Sequence, residues 1–382
     1  MPWRETDPVD QRRKFVKDLD SGLWTMSELC DRYSISRKTG YKLVHRVEAE
    51  GVEGLADRSR APHSCPHRTP RELEELVLAA KQAHPSWGAR KLLRWLARRH
   101  PLRTLPARST VADLLARNGL VKARRTRRRW KHPGRPEGEP KAPNDLWTAD
   151  FKGQFRTRDG AWCYPLTIAD LMSRYLLRCQ GLPNVRTEGA RPVFERLFRE
   201  LGLPRAMRTD NGAPFASTGI HGLCAMSVWW IQLGIAPERI EPSHPEQNGA
   251  HERMHRTLKA ETTRPPAASL RGQQRVFDRF RHEYNEERPH EALGDETPAS
   301  RWQPSRRPYP DRIAKPEYPG HFLVRLVSNA GCFRWHARQI FVSQALAQEW
   351  IGFEETDDGV WSVHFYDVLI ARLDERTFKL SA

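Results

Sequence analysis

The chain has 382 residues, 38% of them hydrophobic, and a formal net charge of +17 at neutral pH. This length allows two to four compact domains, and the hydrophobic content excludes a disordered protein. No apolar stretch is long enough to span a bilayer and no signal peptide opens the chain, so we expect a cytoplasmic protein without a membrane partner. The six cysteines never form a C-x-x-C motif, which is typical of reduced, ordinary cysteines.

One segment supplies most of the positive charge. Residues 81–141 contain 18 Lys and Arg against 3 Asp and Glu, which is +15 of the +17. Within this segment, KARRTRRRWK (122–131) has seven cations and no acid. Such a block binds polyanions, and the phosphate backbone of nucleic acid is the commonest partner; an anionic membrane is the alternative.

Residues 11–50 have the spacing of a helix-turn-helix. MSELCDRY predicts a short helix, SIS a turn, and RKTGYKLVHRV a second helix that begins after the cap residue Ser36. We expect the small core of this unit to contain Leu29, Cys30, Ile35, Leu43 and Val44. The second helix then presents four basic side chains outward for DNA, namely Arg37, Lys38, Lys42 and Arg46. For this unit alone, a three-helix bundle with a solvated basic face is the alternative.

Three further helical patterns follow between residues 71 and 119. RELEELVLAAKQA, WGARKLLRWLARR and ARSTVADLLARNG predict a second helix-turn-helix-like unit, whose last helix ends at Gly119. Two tandem units followed by an arginine run predict DNA binding. The run is expected to clamp phosphates through Arg124, Arg125, Arg127, Arg128 and Arg129. Changing its last three arginines to Ala should weaken binding to every DNA sequence and flatten its salt dependence.

The remainder of the chain predicts a mixed domain and a final β domain. Strand-like runs such as LWTADF, CYPLTIAD and RAMRTD alternate with helical patterns, of which the last covers roughly 270–286. Short aromatic and β-branched runs in the last sixty residues predict a small antiparallel barrel. The predicted divisions are 1–60 and 61–131 for the two helical domains, 132–145 for a proline-rich linker, 146–302 for the mixed domain, 303–320 for a second linker and 321–382 for the barrel.

AHERMHRTLK (250–259) contains His251, Glu252 and His255 in the H-E-x-x-H spacing that binds zinc in metalloproteases. A zinc protease also needs a third protein ligand downstream, and His282 or Glu283 would be an improvised choice. The sequence therefore gives the protease hypothesis little support.

Three acids fit a different metal site. Asp150 follows an apolar strand pattern, Asp210 ends another and Glu252 lies near the start of a helix, so they can meet at one edge of a sheet. Carboxylates suit Mg²⁺ or Mn²⁺ better than zinc, and two such ions about 4 Å apart support phosphodiester chemistry. Arg256 and Lys259 share a helix face with Glu252 and would lie beside the phosphates. A solvated helix with an incidental Glu/Arg pair is the alternative for this helix alone.

Four segments together resemble the catalytic core of DDE transposases of bacterial insertion sequences, which are similar to retroviral integrases. They are WTADF, RTDNGAPF, EPSHPEQNGAHERMHRTLKAE and YNEERPHEALGDETPASRW. The likeness covers the whole chain and implies a multidomain fold. Its parts are tandem all-α helix-turn-helix units, an α/β RNase-H-like core with a mixed sheet, and a small C-terminal all-β barrel.

The same resemblance assigns residues. The catalytic and metal-binding acids are Asp150, Asp210 and Glu252, and Arg256 and Lys259 match positions that face DNA. The turn after the second acid matches at Asn211 and Gly212, and the approach to the glutamate helix matches at Pro245, Asn248 and Gly249. Other acids lie near the third ligand without occupying its motif position, namely Glu241, Glu246 and Glu261.

The resemblance implies a polynucleotidyl transferase that binds the terminal inverted repeats of its element. Two Mg²⁺ or Mn²⁺ ions would support 3′-end cleavage and transfer of those ends into target DNA. A homo-oligomer, at least a dimer on paired ends, and a place at the bacterial nucleoid follow. The histidines that flank Glu252 are then incidental. The alternative is a transposase-derived, sequence-specific DNA-binding regulator without catalysis.

Overall fold

The computed structural model describes residues 7–59, 68–121, 140–210, 212–215, 222–239 and 249–381. The chain divides into two compact units, one ending at Thr69 and one beginning at Pro70. None of the helices described in these ranges has the length and apolar character needed to cross a membrane.

The first unit is a small helical domain. Its helices are α1 (Pro8–Asp20), α2 (Met26–Arg32) and α3 (Arg37–Glu50). A capping box between Thr25 and Glu28 begins α2, and the side chain of Ser36 accepts the amide hydrogen of Thr39 at the start of α3. The buried core contains Phe15, Leu29, Cys30, Leu43 and Leu55. The predicted helix-turn-helix is confirmed, although Ile35 and Val44 are only half-buried.

The second unit begins with three more helices, as predicted. They are α4 (Arg71–Ala83), α5 (Ala89–Arg99) and α6 (Arg108–Arg117). Their apolar faces enclose a separate core, which contains Val77, Trp87, Leu92, Leu96, Val111 and Leu115. Packing of amphipathic faces at helical spacing stabilises this small domain.

A mixed sheet forms the centre of the second unit. Its strands are β1 (Leu146–Phe151), β2 (Phe155–Arg156), β3 (Trp162–Asp170), β4 (Leu176–Leu182), β5 (Ala206–Thr209) and β6 (Ala236–Arg239). The order across the sheet is β4-β3-β1-β5-β6, with β2 pairing to the start of β3. Strands β4, β3 and β1 are antiparallel, whereas β1, β5 and β6 are parallel. This is the mixed sheet that the sequence predicts.

Helices cover both faces of this sheet. On one face, α7 (Thr187–Leu201) and α8 (Ala225–Gln232) contribute Phe194, Phe198, Trp229 and Trp230 to the largest apolar cluster. On the other, α9 (Gly249–Thr262) and α10 (Leu270–His282) form a second cluster around Leu258 and Phe277. The paired tryptophans are therefore core residues, as their apolar context predicts.

The C-terminal part is an antiparallel β domain rather than the expected closed barrel. Its strands are β7 (Leu323–Leu326), β8 (Cys332–Trp335), β9 (Arg338–Phe341), β10 (Trp350–Asp357), β11 (Val360–Phe365), β12 (Val368–Asp374) and β13 (Lys379–Ser381). Five of them form an open sheet in the order β13-β12-β11-β10-β7, while β8 and β9 pair only with each other. This hairpin packs Phe333 and Trp335 against Phe353 in the core cluster, so side-chain contact takes the place of the ladder that would close the sheet.

Candidate active site

Two of the three predicted acids leave the same edge of the sheet. Strands β1 and β5 are parallel neighbours, and Ala149 pairs with Thr209 at the end of their register. The next residues along the two strands are Asp150 and Asp210. The carboxyl ends of adjacent parallel strands meet at one edge, which is where α/β sheets bind ligands.

Helix α9 brings the third acid to this edge. Met254 and Leu258 are buried in the cluster beneath the sheet, which fixes the side of the helix that faces the protein. Glu252, Arg256 and Lys259 are exposed on another side. The helix therefore separates a packed face from a charged face, as the spacing predicts.

The pKa of Asp150 is affected by the negative charges of the other two acids. Burial, followed by the negative charge of Asp210, raises the pKa of Asp150 to about 7, and Glu252 raises this pKa as well. Lys152 is the nearby cation that acts in the opposite direction. Three hard oxygen donors that repel one another suit a divalent cation such as Mg²⁺ or Mn²⁺, so the residues present fit the metal that the resemblance implies.

The two histidines that flank Glu252 are not incidental, which corrects the expectation from sequence. His251 and His255 are buried, and the Nδ1 atom of His255 lies 3.5 Å from Oδ2 of Asp150. Oγ1 of Thr167 lies 2.7 Å from Nε2 of His251 and 2.6 Å from Nε2 of His255. Oγ1 of Thr148 lies 2.7 Å from Nδ1 of His251. Every ring nitrogen of the pair thus has a polar neighbour.

These contacts form a chain that ends at Asp150. Burial lowers the pKa of His251 to about 3 and that of His255 to about 2, so both rings are neutral and each has one donor and one acceptor. The hydroxyl of Thr148 donates to the carbonyl of Ala169 at 3.3 Å, and the hydroxyl of Thr167 donates to the carbonyl of Asp150 at 3.0 Å. Both hydroxyl oxygens are therefore available to accept a ring N–H, and the network connects the two histidines to the backbone and the side chain of Asp150.

This arrangement also bears on the zinc hypothesis. Asp150, His251 and His255 offer ligand atoms within 4.8 Å of one another, and among the described residues they are the group of three that lies so close. Their ring nitrogens, however, already contact the two threonines and Asp150. The three acids are spread more widely, as mutually repelling carboxylates are.

The segment that follows α10 contacts β4 and the end of α9. The side-chain amide of Asn285 accepts a hydrogen bond from the amide of Leu176 and donates one to its carbonyl, so it completes the hydrogen bonds of β4. Glu261 accepts hydrogen bonds from Arg288 and from Ser86. Glu261 is therefore engaged in the structure and is not an alternative third acid.

The predicted DNA contacts of α3 fall into two groups. Arg37, Lys38 and Lys42 are exposed. Arg46 is half-buried and donates a hydrogen bond to the carbonyl of Ala56 at 2.6 Å, so its expected outward position is not observed. The arginines of the basic run, namely Arg124, Arg125, Arg127, Arg128 and Arg129, lie outside the described residues, as do Asn211, Pro245 and Asn248.

Helix α5 uses its positive charge within the chain, which the composition did not indicate. Arg90 pairs with Glu291 at 2.7 Å and with Asp295 at 3.0 Å, and Arg94 pairs with Asp295 at 3.3 Å. Arg98 donates to the carbonyl of Glu287 at 2.6 Å. Part of the basic segment 81–141 therefore docks the second helical domain on the core instead of facing a polyanion.

Comparison with known protein families assigns the same parts. An "Integrase core domain" model matches residues 140–245, and a second model of that description matches 233–298. A "Helix-turn-helix domain" model matches residues 11–63, and a "Homeodomain-like domain" model matches 39–115. The matched core contains the edge of the sheet at which Asp150 and Asp210 lie.

Individual relatives come from insertion elements. The chain is 27% identical over 155 residues to an uncharacterized 31.7 kDa protein of insertion element IS407 from Burkholderia multivorans, covering 40% of this chain and 53% of the relative. It is 29% identical over 158 residues to an uncharacterized 39.2 kDa protein of IS476 from Xanthomonas euvesicatoria, covering 41% and 44%. The chain thus spans about half the length of these curated relatives.

Among solved structures, the HTLV-2 integrase catalytic core domain in complex with magnesium is 15% identical, with a TM-score of 0.34 over 43% of this chain and 99% of that one. The integrase core models, the helix-turn-helix models and the two insertion-element relatives together support an insertion-element DDE transposase, to which this chain is similar.

Proposed function

We propose that this chain binds the terminal inverted repeats of its insertion sequence, cleaves the 3′ ends of the element and joins them to target DNA. The observation that carries this proposal is the convergence of Asp150, Asp210 and Glu252 on one edge of the core sheet. A buried acid whose ionisation is opposed by two others is typical of a metal or catalytic site, which supports the proposal.

The three acids would hold two Mg²⁺ or Mn²⁺ ions, which when bound activate the attacking oxygen and stabilise the departing 3′ oxygen. Asp150 acts in its ionised form, and neutral His255 orients its carboxylate through the Nδ1 contact. Arg256 and Lys259, exposed beside Glu252 on α9, contact the DNA phosphates and hold the strand at the site.

The reaction proceeds in two steps at one site. Water first hydrolyses the phosphodiester at each element end and leaves a 3′ hydroxyl. That hydroxyl then attacks a target phosphodiester in line, and the target's own 3′ oxygen departs. No covalent protein intermediate forms, since each acid serves as a metal ligand rather than as a nucleophile.

The assembly has to join two DNA ends, so we propose a homo-oligomer of at least two chains on paired ends. Exposed side chains of α3, among them Lys38 and Lys42, contribute to recognition of the repeats. The reaction takes place at the nucleoid in the bacterial cytoplasm, where element and target DNA are both found.

Cleavage and strand-joining assays test the proposal, using labelled duplexes of the element's own ends with Mg²⁺. Asp150→Asn, Asp210→Asn and Glu252→Gln should each reduce both products by roughly a thousandfold or more, while DNA binding stays within about threefold of wild type. Glu188→Gln, which changes an exposed acid in the first turn of α7, is the matched control and should retain activity. If the wild type binds the ends but neither cleaves nor joins them, the chain is a DNA-binding regulator instead.

A further inference from the structure

A basic pocket of about 350 Å³ lies between α5 and α9, next to the candidate active site. Five cationic side chains line it and one carboxylate, Glu291, opposes them. The cations are Lys91, Arg174, Arg253, Arg256 and Arg288. Two of them belong to α9, the helix that carries Glu252, and Lys91 belongs to the second helical domain. The docked domain thus contributes one cation to a pocket that the core otherwise lines.

The wall of the pocket contains a buried donor that the described residues leave without an acceptor. Arg288 is only 4% exposed; it donates to Glu261 and, at 3.4 Å, to Ser86. Its Nε atom, however, has no acceptor among the described residues. Buried polar atoms are nearly always hydrogen-bonded, so this guanidinium indicates a missing acceptor.

Lys91 gives a second, independent indication. Burial, followed by the positive charge of Arg288, lowers the pKa of Lys91 to about 8. Lys91 is half-buried, and Glu261, Glu291 and Asp295 offset part of this effect, so its charge opposes folding in part. Clusters of like charge that cost stability are typical of sites for a ligand of the opposite charge.

We propose that this pocket binds a backbone phosphate of the DNA strand that runs along α9 to the three acids. The inference rests on the proposed function in naming DNA as the substrate. Guanidinium and ammonium groups around a small concave site match the oxygens of one phosphodiester. The strand therefore bridges the second helical domain and the catalytic core.

The position of the pocket on α9 determines which phosphate of the DNA strand it can contact, counted from the phosphate that is cleaved. Its α9 residues, such as Arg253 and Thr257, lie on the helix side next to the one that carries Glu252. A helix with side chains is about 10 Å across, and one strand of DNA advances about 3.4 Å per nucleotide. The bound phosphate is thus about two to four nucleotides from the phosphate that is cleaved.

Equilibrium binding to a random 30-base-pair duplex, without divalent ions, tests the charge in the pocket. Lys91→Met should weaken binding about fivefold and lower the salt slope of log K by about 1, irrespective of DNA sequence. Lys91→Arg should restore both values. Lys379→Met, which removes an exposed lysine on β13, is the matched control.

Thermal melting of the same proteins separates ligand binding from a structural role. Because charged Lys91 opposes folding, Lys91→Met should melt at the same or a higher temperature than wild type. If Lys91→Met fails to fold, Arg253→Gln takes its place, since Arg253 is exposed and its Nε atom contacts only the carbonyl of Gly249, at 3.2 Å, in its own helix. A lower melting temperature with unchanged salt slope would overturn the proposal.

A scan with single methylphosphonate linkages, each of which neutralises one phosphate, locates the contact. In equilibrium binding to element ends without divalent ions, the linkage two to four nucleotides from the scissile phosphate should reduce the affinity of wild type about fivefold but leave that of Lys91→Met unchanged. An equal effect of this linkage on both proteins would contradict the assignment. Inorganic phosphate at millimolar concentration should not displace DNA; if it does so in wild type but not in Lys91→Met, a free phosphate is the ligand.

The outcomes distinguish this inference from the proposed function. If the chain fails to cleave element ends but Lys91→Met still lowers the salt slope, the pocket binds DNA and only the catalytic proposal fails. If cleavage occurs and Lys91→Met matches wild type in affinity and slope, the catalytic proposal stands and the pocket assignment is wrong.

Discussion

Two charged regions of the second unit differ in whether opposite charges are paired within the chain. Where α5 meets the core, opposite charges are matched, since Arg90 and Arg94 contact Asp295, whose side chain is only 6% exposed. At the sheet edge beside α9, burial, followed by the charges of Asp210 and Glu252, raises the pKa of Asp150 to about 7. The charges of the first region are balanced within the chain, whereas the like charges of the second repel one another. Matched charge therefore accompanies docking of α5 here, and gathered like charge is the feature on which the proposed metal site rests.

The largest effect is expected from breaking the matched region. Asp295→Asn removes the charge shared by two arginines and should lower the free energy of unfolding by about 2 to 3 kcal/mol, since the arginines are partly exposed. Asparagine also tolerates the positive φ of 68° at this position, so backbone strain is not added. Urea unfolding followed by tryptophan fluorescence measures the change.

Glu195→Gln is the control for this measurement. Glu195 pairs with Arg199 on the exposed side of α7, at 2.9 Å and one helical turn away. The loss should stay below about 0.5 kcal/mol. Equal stability of Asp295→Asn and wild type would show that apolar packing alone docks α5.

At the sheet edge, removal of an acidic charge should raise the free energy of unfolding instead of lowering it. Asp150 has a raised pKa, so its ionised form opposes folding, and its contribution to stability falls as the pH rises from about 4 to about 7. Without divalent ions, Asp150→Asn should therefore stabilise the protein by about 1 to 2 kcal/mol at pH 8. The gain should vanish near pH 4, where both states bind the proton.

Asp170 provides the comparison for Asp150. It is buried on β3 and its pKa is also raised by burial, but its carboxylate accepts hydrogen bonds from the amides of Asn144 and Ser173, each at 2.7 Å. Asp170→Asn should lose about 1 to 2 kcal/mol because these donors lose an ionised acceptor. A loss of stability in Asp150→Asn as well would remove the distinction between the two regions.

The histidine chain should have a smaller effect on stability and a distinct one on metal binding. Thr167→Val removes the hydroxyl that contacts both rings, so the orientation of Asp150 is lost and affinity for Mn²⁺ should fall about tenfold. Thr148→Val removes contacts to His251 and to the carbonyl of Ala169 but none to His255, and it should lower this affinity less. Calorimetric titration with Mn²⁺ measures both, and equal affinities in the two variants would contradict the order of the chain.

The smallest change in stability is expected on α3. Lys42 is exposed, and Lys42→Ala should leave the free energy of unfolding within about 0.5 kcal/mol, while weakening binding to DNA severalfold. Arg46→Ala removes the hydrogen bond to Ala56 and should instead cost about 1 kcal/mol of stability. The reverse pattern in urea unfolding and DNA titration would reassign the exposed face of the helix.

Much of the fold follows from local pattern. Capping at Thr25 and Ser36, the apolar spacing of α4 to α7, and the strand patterns around Asp150 and Asp210 locate these elements closely. The prediction of a closed barrel was wrong because closure depends on which strand edges pair. The sequence pattern of β8 does not reveal that this strand pairs only with β9. Strand patterns specify inward and outward faces, not the partner at an edge.

In the candidate site, too, some residues were predicted from the sequence and others were found only in the structure. Motif spacing predicts the three acids as metal ligands, and this assignment stays a prediction, whereas the same spacing treated His251 and His255 as incidental. Their roles depend on Thr148 and Thr167, which lie 103 and 84 residues before His251, and no local pattern links them. The basic pocket was missed for the same reason, since α5 and α9 are far apart along the chain.

By itself, the sequence determined which elements form, because capping and periodicity are local properties, and it predicted which acids bind metal from carboxylate chemistry and motif spacing. Tertiary structure decided which partners the charged side chains contact. The arginines of α5 pair with Asp295 and Glu291, whereas Lys91 on the same helix faces other cations at the pocket. An electrostatic interaction depends on distance in space and on burial, and both are known only once the chain has folded.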